Sequence, residues 1–130
     1  MKVTVFCIAK VVDDMGGKGL TLVDALTGFA VKQLPTSIPM SLAIRLRGEP
    51  DDGVTPHKLE LKLFMPNGEL AAGGTVDLPM VKTDRRFYYS LAQNLPLRIA
   101  EYGDYKLTLE INGVEAADEY LTITNGDEVA

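Results

Sequence analysis

Over most of this chain apolar and polar residues alternate with a period of two, which gives each segment one face to bury and one to leave in water. Leu42, Ile44 and Leu46 alternate with Ser41, Ala43, Arg45 and Arg47, and Leu59, Leu61 and Leu63 with Lys58, Glu60 and Lys62. Phe87, Tyr89 and Leu91 alternate with Arg86, Tyr88 and Ser90. Tyr105, Leu107, Leu109 and Ile111 alternate with Lys106, Thr108 and Glu110, and Leu121 and Ile123 with Tyr120, Thr122 and Thr124. No stretch holds a helical period for a useful length, and seven prolines spread along the chain discourage long helices. Val3 to Val12 is apolar on both faces, which predicts a central strand or one covered by another surface. Leu20 to Lys32 reads as a second long extended stretch, bent at Thr27-Gly28 because glycine inside a strand marks a bulge or bend.

The punctuation between these segments fits hairpins. Pro66-Asn67-Gly68 and Asn112-Gly113 each follow a strand directly, and Asn-Gly tolerates the positive φ of tight turns. Asp13 to Gly19 is a flexible connection between the first two strands, and Glu49 to Pro56 is a loop between the third and fourth. Ala71-Ala72-Gly73-Gly74 is too small and flexible for an assignment. About eight strands with turns at this spacing predict an all-β, immunoglobulin-like sandwich of two antiparallel sheets. Tyr102-Gly103-Asp104-Tyr105, at the entrance to an alternating strand, matches the corner of such sandwiches where a tyrosine hydroxyl bonds back to upstream backbone. The chain has one cysteine and no tryptophan, so the likeness is to the architecture and not to antibody domains. A single domain over 1–125 is expected, with 126–130 a flexible tail.

At 130 residues the chain can bury a core without a disulfide or metal staple. A net charge of −5 argues against nucleic acid and against an anionic membrane surface as partners. The apolar run near the N-terminus ends at Ala9, too short for a signal peptide, and no stretch approaches the ~20 apolar residues of a membrane span. The expected setting is the cytoplasm, with Cys7 reduced and buried. One cysteine and one histidine exclude a disulfide framework, a cysteine-rich zinc site and any site needing two imidazoles.

Gly19-Leu20-Thr21-Leu22 with Gly28-Phe29, then Pro35, Pro39 and Leu42 to Glu49, resembles an uncharacterised bacterial family of small β-sandwich proteins, a domain of unknown function. Leu59-Glu60-Leu61, Pro66-Asn67-Gly68 and Gly103-Asp104-Tyr105 extend the likeness over most of the chain. The resemblance implies a fold and transfers no catalytic residue.

Candidate chemistry is sparse. A triad would pair His57 with Ser37, Ser41 or Ser90, yet no Gly-x-Ser-x-Gly elbow surrounds any of them, and a solvated imidazole after Pro56 is the ordinary expectation. Cys7, with Lys10 its only cationic neighbour, reads as an inert thiol. Asp13-Asp14, Asp51-Asp52 and Asp127-Glu128 could contribute to calcium binding, but none has EF-hand spacing and all suit solvated turns. Gly16-Gly17-Lys18-Gly19 joins two strands and lacks the helix N-terminus that a phosphate loop needs. No catalytic, cofactor-binding or metal-binding residue is therefore assigned. Arg45 and Arg47 share one strand face, and Arg86 and Tyr88 open another strand, a set suited to gripping a carboxylate-bearing protein partner. The expected function is non-enzymatic: a protein-interaction or self-assembly module, binding a protein partner or its own copies. The alternatives are a phage or virion structural accessory subunit and a calcium- or small-ligand-binding domain.

Overall fold

Each alternating segment forms a strand in the computed structural model, which describes residues 1–126. In chain order the strands are β1 (Lys2–Asp13), β2 (Thr21–Leu26), β3 (Gly28–Val31), β4 (Thr36–Gly48), β5 (His57–Phe64), β6 (Leu70–Leu78), β7 (Phe87–Ile99), β8 (Gly103–Ile111) and β9 (Val114–Asn125). They form two sheets, in the orders β2-β1-β4-β7 and β3-β9-β8-β5-β6. Inward residues of both sheets make the core: Leu42, Ile44 and Leu46 of β4, Leu97 and Ile99 of β7, Leu59 of β5, Leu107 and Leu109 of β8, and Leu121 and Ile123 of β9 are all fully buried. The chain is an all-β sandwich of immunoglobulin-like architecture. β4 and β7 take the places of strands B and E, β5, β8 and β9 those of C, F and G, and β6 that of the added C′ strand.

Four details differ from the sequence reading. The stretch from Leu20 to Lys32 does bend at Thr27-Gly28, but there it leaves one sheet for the other, so it counts as two strands and the described residues form nine. β3 runs parallel to β9, with Gly28 opposite Thr122 and Val31 opposite Asn125, so the sandwich is not wholly antiparallel. Glycine is required at that crossing because a Cβ on Gly28 would lie 2.4 Å from the Thr122 carbonyl oxygen. The Glu49–Pro56 loop holds one helical turn, α1 (Pro50–Gly53), with Pro50 in the first turn, where a missing N–H costs nothing. Finally, Ala71 to Gly74 lies within β6, where Ala72, Gly73 and Gly74 pair with β5 and the register shifts at Ala71.

Gly126 is docked, its N–H donating to the Val31 carbonyl at 3.1 Å. The rest of the expected tail, 127–130, lies outside the described residues.

The tyrosine corner is present. Tyr105 is completely buried, and its hydroxyl donates to the Glu101 carbonyl at 2.9 Å while accepting from the amides of Ala100 and Glu101 at 3.3 Å. It pins the turn from β7 into β8, where Gly103 adopts φ +125°. Asn112 does the same for the β8–β9 turn. At φ +52° it exchanges main-chain and side-chain hydrogen bonds with Lys58 of β5.

β1 outruns its pairing with β4. That ladder ends at Ala9 opposite Ser41, whereas β1 and β2 stay paired out to Asp13 opposite Thr21. The resulting arm ends in a 3-10 turn, Met15–Gly17, whose tip reaches β7: Asp14 Oδ2 accepts from the Ala92 amide at 3.4 Å. Because β4 lies between β1 and β7, the arm crosses the outer face of the first sheet. Ala9 and Ala43 face outward by register, yet both are completely buried. That burial accounts for the outward apolar residue at Ala9, whereas Val11, farther along the arm, is half exposed.

Candidate functional site

β4 and β7 pair along thirteen consecutive positions, and this register decides what stands together on the outer face of the first sheet. Arg47 is directly opposite Tyr88, and Arg45, two residues earlier on the same face, places its guanidinium carbon 5.6 Å from the centre of the Tyr88 ring. A contact of this kind at an exposed site contributes about 0.5–1 kcal/mol. Arg45 is oriented from the other side, where its Nε donates to Thr4 Oγ1 at 2.9 Å and the Thr4 hydroxyl donates to the Arg45 carbonyl at 3.1 Å. One step beyond Tyr88, Arg86 Nε lies 2.9 Å from Glu49 Oε1. Both partners are more than half exposed, so this pair adds little stability and mainly sets direction.

All four residues expected to bind a partner therefore stand at one corner of the sandwich. Sequence reading missed three that complete it. Lys2 is directly opposite Arg47 across the β1–β4 ladder, Thr4 orients Arg45, and Glu49 engages Arg86. Lys2 and Thr4 are more than forty positions away in sequence from the arginines they meet, and only the β1–β4 pairing brings them there. The corner thus gathers Lys2, Arg45, Arg47 and Arg86 around one half-exposed tyrosine in a chain of net charge −5.

The other candidates are placed as follows. His57 is not solvated as expected: it is half-buried, with Nε2 2.7 Å from the Asp52 carbonyl and 3.2 Å from Thr55 Oγ1, and Nδ1 3.0 Å from Asn112 Nδ2. Ser37 and Ser41 lie on β4 and Ser90 on β7, and His57's hydrogen bonds go to none of them. Cys7 is half-buried instead of fully buried, and burial, followed by the nearby Glu119 charge, pushes its thiol pKa up, away from nucleophilic thiolate. The acidic turns direct oxygens at backbone amides: Asp13 to Met15, Asp14 to Gly16 and Ala92, and Asp52 to Glu49. Asp127 and Glu128 lie outside the described residues. Gly16 and Gly17 have positive φ and close the 3-10 turn at the arm's tip.

A second feature is a crevice of about 210 Å³ between the sheets, at the side where β6 and β7 are the outermost strands. Leu42, Leu61, Leu63 and Leu107 line it, with Gln93 and Leu95 of β7 and the run Ala72–Val76 of β6 around its mouth. It exists because the inward positions of β6 opposite Leu63 and Leu61 are Ala72 and Gly74, too small to fill the space.

Residues 4–124 match the model of a family of unknown function, DUF6941. The chain belongs to that family. Among solved structures it is similar to an immunoglobulin-like protein from Pseudomonas aeruginosa at 15% identity, covering 95% of this chain and 97% of that one, with a TM-score of 0.35. A search of curated proteins returns no match. No helix among the described residues is long and apolar enough to cross a membrane.

Proposed function

We propose that this DUF6941 chain is a non-enzymatic interaction module whose basic corner grips a carboxylate-bearing protein partner in the cytoplasm. The observation that carries this reading is the Arg45–Tyr88 stack with Arg47 opposite the same ring. Arginine and tyrosine are among the residues most enriched where interface energy concentrates, and a planar guanidinium recognises a carboxylate through two parallel hydrogen bonds. The corner's cations also outnumber its acids in a chain that is acidic overall, so an approaching acidic partner is oriented toward this face. Tethering of Arg45 by Thr4 and of Arg86 by Glu49 reduces the side-chain entropy lost on binding.

The test is affinity capture of the tagged protein from its native lysate, repeated with the double variant Arg45→Ala, Tyr88→Ala. A stoichiometric companion that is lost in the variant, and progressively lost with added salt, is the expected result. Capture unchanged by the double variant, with its melting temperature also unchanged, would overturn the assignment to this corner. Recovery of copies of the chain alone would make it a self-assembly module.

A further inference from the structure

The crevice and the strand beside it form a second surface, independent of the basic corner. Among the described residues β6 is the last strand of its sheet and pairs only with β5, so one row of its backbone N–H and C=O groups has no strand partner there. Folded proteins guard such edges with charges, prolines or bulges. β7, the matching edge of the other sheet, carries Pro96 and is met at Ala92 by Asp14. On β2, Asp24 interrupts the strand with φ +52°. On β6 the run Leu70 to Val76 has no charge and no proline, its register break falls at Ala71, and Ala72 to Val76 beside the crevice pair regularly with β5. At its centre Gly74 has no atom within 4 Å of where a side chain would begin, and it faces the crevice.

We propose that β6 accepts an extended segment of a partner polypeptide as a tenth strand, which places one aliphatic side chain between the sheets above Leu61. The two parts of the surface serve different ends. Main-chain hydrogen bonds along an edge give affinity for any extended chain, and pockets for alternate side chains give the choice among them. The crevice, at about 210 Å³, is smaller than the roughly 300–1,000 Å³ typical of small-molecule sites and fits an anchoring side chain better than a cofactor. Its five leucines select an apolar anchor, and Gln93 supplies an amide at the wall.

The occupant is a different polypeptide and not a second copy paired edge to edge. A second β6 would bring only Ala72, Gly74 and Val76 to the crevice and leave it unfilled. Charge defines the rest of the guest. Glu69 and Asp77 bracket the uncharged run, both are exposed, and neither makes an ion pair among the described residues. A segment with basic ends and an uncharged, alternating middle complements them.

The probe is the capped peptide Lys-Val-Thr-Leu-Thr-Val-Thr-Val-Lys, in which the lysines stand on the opposite strand face from the leucine, titrated into the isotopically labelled full chain. Saturable shifts and slowed amide exchange confined to Leu70–Val76 and the crevice are expected, and the same peptide with aspartate for leucine should not bind. Gly74→Phe, which occupies the crevice from within, should weaken the peptide by at least about tenfold without lowering the melting temperature. Equal binding by Gly74→Phe, no binding by the wild type, or shifts caused by dimerisation of the chain itself would each overturn the proposal. Slowed exchange along β6 tests the wild type alone, so a variant that fails to fold does not remove the test. Failure here leaves the basic corner untouched, because Arg45 and Tyr88 play no part in it.

Discussion

At the scale of single residues, the side chains that matter most are polar groups with several bonds in a buried place. Tyr105 is the clearest, with one donated and two accepted hydrogen bonds to the backbone of residues 100 and 101. Removing the hydroxyl leaves those groups without their partner, so Tyr105→Phe should cost about 1–3 kcal/mol by urea unfolding. Rescue of that loss is not expected from any surface change nearby. This corner was legible in the sequence, because a tyrosine at the start of an alternating strand after glycine is a local signal. His57 was not: its partners Asp52, Thr55 and Asn112 come from α1, the loop after it and the β8–β9 turn, and no spacing announces that meeting.

At the scale of elements, alternation revealed the strands but not their sheets. A strand's inward and outward faces are written in every second residue, whereas its neighbour is chosen by contacts from distant chain. The split at Thr27-Gly28 shows the limit: glycine signalled a break, and only the packing of β3 against Thr122 shows that the break is a change of sheet. The two glycines 28 and 74 should therefore behave oppositely. Gly28→Ala forces β3 away from the Thr122 carbonyl and should cost about 1–3 kcal/mol, while Gly74→Ala, which meets no atom, should be close to neutral. Paired thermal melts of the two variants check this. β6 was missed by alternation because Ala71 to Gly74 carries no contrast between faces, and that same smallness opens the crevice.

At the scale of the whole molecule, stability should have an acid limb that traces to one turn. The Glu49 amide, donating to Asp52 Oδ2 at 2.8 Å, holds the Asp52 carboxyl below the usual carboxylate range, with the N-terminal ammonium and His57 adding to the effect. A depressed carboxylate pKa contributes stability above the unfolded value, about 3.9, and that contribution disappears as pH falls through the folded one. Burial pushes the Tyr89 phenol the other way, so its contribution is complete below about pH 10 and disappears above it. Urea unfolding from pH 2 to 7 should therefore show a decline in acid that Asp52→Asn makes shallower. The basic corner also belongs to this scale, since its four arginine and tyrosine members were visible in two strands but Lys2, Thr4 and Glu49 joined them only through the assembled sheet.

The crossing arm also sets an order of events in time. Beyond Ala9 it has left the β1–β4 ladder, and its tip is tied to β7 by the Asp14–Ala92 hydrogen bond, so lifting it disrupts far less than separating the two sheets. A swing of that arm would thus wet Ala9 and Ala43 while the leucine core stays closed. Any protease or chaperone that samples the native population meets this half-open form long before it meets an unfolded chain.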